Sequence, residues 1–200
     1  MDSSWAASSE FWNRKKPSEW SPEEVERLIT KSPWAKTVHI QPSKSYLRDH
    51  AEPEPPNPGG SGGTPSGRGP TVTPVPIVGR DEGGTRRPVE MTVRWESAQP
   101  IVDAVGTPFP DDFANHYVIG VVNLQRGDGR ATLRAKGKEP LDAGAVHVSR
   151  TGEVLFGFSK ELQPLGASDK GVEFNLETPE YVINAKFEPK EMIYHNALAL

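Results

Sequence analysis

Histidine and carboxylate side chains are the groups in this sequence that could support hydrolytic or metal chemistry. The five histidines show neither His-x-His nor His-x-x-x-His spacing. Asp112 and His116 are four residues apart, which on a helix would place a carboxylate beside an imidazole as an acid–base or metal-binding pair. The alternative, which we prefer, is a polar loop that leads into a strand. We therefore assign no histidine to a site.

Sequence motifs of the common catalytic families are absent. The chain contains no Gly-x-x-x-x-Gly-Lys-Ser/Thr, no Gly-x-Ser-x-Gly and no His-Glu-x-x-His. It has no cysteine, which excludes disulfides, thiol catalysis and cysteine-based metal sites. We therefore predict no catalytic residue, no metal ligand and no cofactor, and an enzyme is the less favoured class.

Charge and hydropathy bear on the partners and the location of the protein. The formal net charge is −4, and the basic residues are spread among acidic ones, so the sequence predicts no nucleic-acid binding. No apolar run approaches the roughly 20 residues that span a bilayer. Residues 1–5 lack the basic and then apolar layout of a signal peptide. Either the protein is cytoplasmic or the leader of an exported precursor has been removed.

Any site must be positioned by a β domain that we predict over residues 89–200. Residues 89–97 alternate between apolar and polar types, the pattern of a strand with one buried and one wet face. Trp95 lies on the face predicted to be buried. Arg94 and Glu96 lie on the opposite face, which we expect to be a solvated sheet surface.

Repeated hairpins give the predicted fold class, an antiparallel β-sandwich or barrel-like domain with a docked N-terminal helix. The predicted strand pairs are 117–124 with 131–136, 145–149 with 154–158, and 172–177 with 181–187. A short helix through 101–105 is expected to be capped by Ser97 and closed by Gly106. Residues 192–198 could add a last strand.

The N-terminal helix has the clearest local signal in the chain. Ser21 can cap the helix, Pro22 suits its first position, and Glu24 completes a capping box. The helix should run from residue 22 to about residue 30 and end before Pro33. Its single apolar stripe predicts docking on one surface, and residues 34–40 should form a short strand.

The chain divides into four parts on composition. Residues 1–19 read as a flexible leader, 20–49 as the helix and strand that pack on the main domain, and 50–88 as a disordered proline- and glycine-rich linker or insertion. Within the leader, Phe11 and Trp12 could pack on the domain or on a partner. They are our candidate partner-binding residues.

Four stretches together resemble an uncharacterised group of bacterial exported, lipoprotein-like proteins. They are WSPEE at 20–24, SPWAK at 32–36, VRWES at 93–97 and NAKFEPKEMIY at 184–194. The resemblance covers the N-terminal helix and most of residues 89–200, but not the linker. It implies a periplasmic, extracellular or otherwise envelope-associated location, and it supplies no catalytic residues.

We therefore favour a non-catalytic exported binding or scaffold module of the cell envelope, whose partner is another envelope protein or a second copy of the chain. Two alternatives stay open. One is a hydrolase with a site built from the loop 108–116, which would require a concave pocket with converging polar groups. The other is a structural protein that self-assembles through exposed sheet edges.

Overall fold

Alternation of apolar and polar residues builds two five-stranded sheets in this protein. The structure, a computed structural model, describes residues 10–49, 78–80, 86–88, 90–106, 108–124, 128–149 and 152–200. In chain order the strands are β1 (Ala35–His39), β2 (Gln41–Pro42), β3 (Val78–Arg80), β4 (Arg86–Pro88), β5 (Glu90–Trp95), β6 (His116–Val122), β7 (Arg130–Ala135), β8 (Leu141–Asp142), β9 (Ala145–Val148), β10 (Glu153–Ser159), β11 (Val172–Glu177), β12 (Tyr181–Phe187), β13 (Ile193–Tyr194) and β14 (Ala197–Leu198). The α-helices of the described part are α1 (Pro22–Thr30), α2 (Lys44–Asp49) and α3 (Gln99–Val105).

The two sheets pack face to face as an antiparallel sandwich. Sheet 1 has the strand order β1-β5-β6-β10-β9, and sheet 2 has the order β2-β12-β11-β7-β8. Every neighbouring pair in both sheets is antiparallel. The predicted β-sandwich with a helical N-terminal part is confirmed, whereas the barrel alternative is wrong because the described strands do not close on themselves.

The core lies between the inner faces of the sheets and is rich in aromatic rings. Trp95 is fully buried, as predicted, and its ring meets Phe187 of sheet 2 edge-on at 5.3 Å between centroids. Phe158 of sheet 1 meets Phe174 of sheet 2 in the same way at 6.2 Å. Edge-to-face contacts of this kind add to the burial of large apolar surfaces, so these rings hold the sheets together.

The predicted capping box of the N-terminal helix is confirmed. The Ser21 hydroxyl accepts a hydrogen bond from the Glu24 amide at 3.3 Å, and the Glu24 carboxylate accepts one from the Ser21 amide at 3.0 Å. Pro22 occupies the first turn. The apolar face of α1 packs against α3 and β1, with Leu28 fully buried.

Phe11 and Trp12 lie inside the core of their own chain. They are 4% and 3% exposed, and Trp12 contacts Trp34 edge-on at 5.5 Å. Phe11 contacts Trp20 in the same geometry at 5.8 Å. Of the two arrangements left open by the sequence, the structure shows packing on the domain. The choice of these rings as partner-binding residues is corrected, because their surfaces are already covered.

Two local predictions about the β domain are wrong. Strands β6 and β7 do not form a hairpin, since β6 is central in sheet 1 and β7 belongs to sheet 2. Turn residues specify a reversal of the chain but not which sheet the returning strand joins. Ser97 does not cap α3 either: the helix begins after Ala98, and the Ser97 hydroxyl instead accepts a hydrogen bond from the Val118 amide at 3.0 Å. Gly106 closes α3 in the left-handed region, as predicted.

The other predicted elements have mixed outcomes. The hairpins β9–β10 and β11–β12 are confirmed, while residues 192–198 form the two-residue pairing of β13 with β14. The short helix α2 was not predicted. Most of the expected linker 50–88 lies outside the described residues, apart from the antiparallel pair β3 and β4. Among the described helices, none has the length and apolar character needed to cross a membrane.

Candidate binding cleft

A cleft lies on the outer face of sheet 1, beneath α3 and the loop 108–113. Its volume is about 660 Å³. The apolar wall comes from α3, the loop and β10, and the polar end comes from residues near β5, β9 and β10. The lining residues are Glu96, Ile101, Val102, Val105, Pro108, Phe109, Pro110, His147, Ser149, Glu153 and Leu155.

Strand register places the polar groups over a glycine. Arg94 of β5 pairs with Gly120 of β6, and Gly120 pairs with Leu155 of β10. A Cβ atom at Gly120 would lie 2.7 Å from a carboxylate oxygen of Glu153 and 2.8 Å from one of Glu96. Glycine is therefore required here, because only a residue without a side chain leaves room for two carboxyl groups above the middle of the sheet.

Arg94 holds both carboxyl groups in place. Its Nε atom donates to Glu96, and its Nη2 atom donates to Glu153 at 2.9 Å. The side chains of Arg94, Glu96 and Glu153 are 10%, 6% and 19% exposed. We call these three residues the Arg94 cluster.

Burial sets the protonation of the Arg94 cluster. It raises the pKa of Glu96 to about 8, against the opposing effect of Arg94, and the charge of Glu153 raises it further. Glu96 consequently holds a proton at neutral pH, while Glu153 forms the ion pair with the guanidinium. With one proton between the two carboxyl groups, the Arg94 cluster as a whole has no net charge.

The apolar wall is a small second core. Phe113, Val118 and Leu155 are buried together, with Phe109 packed against them. A Cβ atom at Gly157 would lie 2.9 Å from the Phe113 ring, so a second glycine on this face admits an aromatic side chain. The loop 108–113 is held on the sheet in this way and forms one side of the cleft.

The predicted pair of Asp112 and His116 is not formed. Asp112 is exposed in a 3-10 turn that ends at Ala114, whose backbone is extended, so no single helix carries both residues. The His116 ring instead lies 2.7 Å, Nδ1 to O, from the Ala114 carbonyl oxygen. Within the ranges that the structure describes, no group of three or more acidic or histidine side chains is placed to hold a metal ion.

Arg94 and Glu96 were predicted to face solvent, and that prediction is wrong. Their strand does alternate as expected, but Arg94 and Glu96 are only 8% and 5% exposed, and Glu96 lines a cleft whose other walls include α3 and the loop 108–113. Alternation assigns these two residues to a face of the sheet without showing what packs on that face.

No protein-family model matches the chain, and comparison with curated proteins and with solved structures finds no match to it. The cleft is therefore interpreted from its own chemistry. Its walls favour an apolar body, and the Arg94 cluster can accept hydrogen bonds from a donor or a cation that reaches the polar end.

Proposed function

We propose that the protein is a non-catalytic binding module, and that the cleft on sheet 1 binds an apolar group that carries a positive charge. An alkylammonium group or a lysine side chain of a partner has this chemistry. The observation that carries the proposal is the convergence of an apolar wall on the carboxyl groups of Glu96 and Glu153 above Gly120.

Charge balance supports a cationic ligand. With Glu96 protonated, one arginine offsets one carboxylate. A ligand cation can replace the shared proton, and the two carboxylates are then balanced by Arg94 and the ligand. Hydrogen bonds between charged partners contribute about 1.5–3 kcal/mol each, more than bonds between neutral groups, so the cationic end should dominate selectivity.

Geometry argues against the hydrolase alternative at this cleft. A carboxyl group that is protonated near neutral pH is suited to act as a general acid. Glycoside hydrolysis, however, needs carboxyl groups about 5–9 Å apart so that the scissile bond or water fits between them. Oxygens of Glu96 and Glu153 instead converge on the same space above Gly120, 2.8 Å and 2.7 Å from where its Cβ atom would lie, and Arg94 binds both carboxyl groups. The loop 108–116 contributes apolar wall rather than reactive groups.

We also propose an envelope location and an envelope partner, and the sequence resemblance is the only support for both. Self-assembly through a sheet edge also stays a prediction. In sheet 1 the edge strand β9 exposes Val146 and Val148, each 51% exposed, which is the surface such assembly would use.

Titration with hexylamine and hexanol, followed by NMR shifts of the cleft residues, tests the proposal. Hexylamine stays protonated like lysine across the titration range. We expect it to bind at least about tenfold more tightly than hexanol, a difference of about 1.4 kcal/mol. Its affinity should rise between pH 6 and pH 9, since binding displaces the proton on Glu96.

Three variants complete the test. Glu153→Gln should remove the preference for the amine, whereas Glu173→Gln, a glutamate also paired with an arginine but on sheet 2, should leave it unchanged. Val105→Asn, at a partly exposed position of the cleft wall, should weaken the binding of hexylamine and of hexanol to a similar degree. Equal binding of amine and alcohol by the native protein, or no binding of either, would overturn the proposal.

A further inference from the structure

A second groove lies on the outer face of sheet 2, at the end where β7 finishes and β11 begins. Its volume is about 510 Å³. The lining residues are Arg134, Lys136, Gly137, Lys138, Glu139, Gly171, Glu173 and Lys186. Four of these are basic and two are acidic, although the whole chain has a formal net charge of −4. We call this surface the basic groove.

Strand register places the charged residues of the basic groove in rows across sheet 2. Glu173 of β11 lies between Arg134 of β7 and Lys186 of β12. Arg134 donates to Glu173 at 2.6 Å, Nη2 to Oε2. The pKa of Glu173 is lowered chiefly by that hydrogen bond and further by the charges of Lys186 and Lys136. One carboxylate therefore lies among three cations, which leaves the surroundings positive.

Gly171 forms the floor of the groove between two lysines. Its carbonyl oxygen accepts a hydrogen bond from the Lys136 amide at 2.9 Å, which fixes Lys136 directly across from it. A Cβ atom at Gly171 would lie 3.2 Å from Cε of Lys186, so the lysine stem passes close over the glycine. The Lys136 backbone and the Lys186 side chain therefore meet at Gly171, which has no side chain of its own.

Lys138 is held at the rim by the opposite wall. Its ammonium group donates to the Pro164 carbonyl oxygen at 2.9 Å and lies 3.5 Å from Asp169. Asp169 offsets the charge of Lys138, so this residue shapes the rim of the groove. The groove is thus lined by four basic residues around Gly171, with Glu139 and Glu173 as its acidic residues.

We infer that the basic groove binds a small multivalent anion that carries two or more phosphate or sulfate groups. A single exposed ion pair contributes about 0–1 kcal/mol, so a monovalent contact gains little here. An anion whose charged groups are spaced along a chain can contact Lys136, Lys186 and Arg134 at once, and the contributions then add. This site is on the other sheet and does not depend on the proposed function of the cleft.

Isothermal titration with inorganic tripolyphosphate at low ionic strength tests the inference. We expect tripolyphosphate to bind at least fivefold more tightly than inorganic phosphate, and its affinity to fall as salt is added. The double variant Lys136→Ala and Lys186→Ala should weaken binding of tripolyphosphate at least fivefold. Both side chains are exposed on the sheet surface, so the variant should fold like the native protein.

Lys31→Ala is the matched control, because Lys31 is an exposed lysine at the end of α1, outside the groove. It should leave binding unchanged. Equal loss in the control and in the double variant would show attraction to lysines in general and would overturn the inference. The same holds if phosphate and tripolyphosphate bind equally well, or if the double variant binds like the native protein.

Discussion

The two outer faces of the sandwich carry the same kinds of charged residue in different environments. On sheet 1, Arg94 pairs with Glu153 above Gly120, and their side chains are 10% and 19% exposed. On sheet 2, Arg134 pairs with Glu173 on the adjacent strand, and their side chains are 52% and 50% exposed. The first pair lies beneath α3 and the loop 108–113, whereas the second faces solvent.

The direction of the glutamate pKa shift differs between the two faces. On sheet 1, burial raises the pKa of Glu96 to about 8. On sheet 2, the hydrogen bond from Arg134 lowers the pKa of Glu173 and outweighs the opposing effect of desolvation. The presence of an arginine and a glutamate on a sheet surface thus does not indicate in which direction the pKa of the glutamate is shifted. What they do depends on whether another element excludes water from them.

The largest expected effect at a fixed pH comes from removing the buried arginine of sheet 1. Arg94→Met should lower the free energy of unfolding by about 3–5 kcal/mol, since it leaves a buried carboxyl pair without its counter-charge. Urea denaturation followed by tryptophan fluorescence measures this value. A loss below about 1 kcal/mol would mean that water reaches the Arg94 cluster freely, as it does on sheet 2.

An effect of comparable size is expected from pH. A carboxyl group whose pKa is higher in the folded than in the unfolded chain binds more protons when folded. The free energy of unfolding should therefore fall as the pH rises from the usual carboxyl value of 4.5 to about 8, and then level off. Ionisation of Glu96 leaves one arginine against two carboxylates, so this loss should be comparable to that of Arg94→Met.

Glu96→Gln should remove this pH dependence, and urea denaturation at pH 5, 6.5 and 8 measures it. The groups that face Glu96 are Arg94 and Glu153, and His147 lines the same cleft. His147→Gln is therefore the control, and its free energy of unfolding should still fall as the pH rises. If this fall persists in Glu96→Gln, or disappears in His147→Gln, the assignment of the proton to Glu96 is contradicted.

The smallest effect should come from the solvent-exposed arginine on sheet 2. Arg134→Met is expected to change the free energy of unfolding by less than about 1 kcal/mol, because an exposed ion pair gains little over its hydrated partners. The same urea experiment as for Arg94→Met measures it. Equal losses in the two methionine variants would remove the distinction between the faces.

Elements that depend on neighbouring residues could be predicted from the sequence. The helix α1 followed from its capping box, and the hairpins β9–β10 and β11–β12 followed from alternation broken by turn residues. The separation of β6 from β7 could not be predicted, since it depends on which sheet each strand completes. The Arg94 cluster was missed for a related reason, because alternation assigns a residue to a face without saying what covers that face.

The sequence by itself determined that the chain forms an antiparallel β domain with a docked helix, because period, capping and turn chemistry act over a few residues. Only the tertiary structure decided where function can reside. The cleft between α3 and sheet 1, the fit of two carboxyl groups above Gly120 and the uncovered basic groove on sheet 2 all join residues that are distant in sequence. Burial and pKa follow from such long-range packing, and no local pattern encodes it.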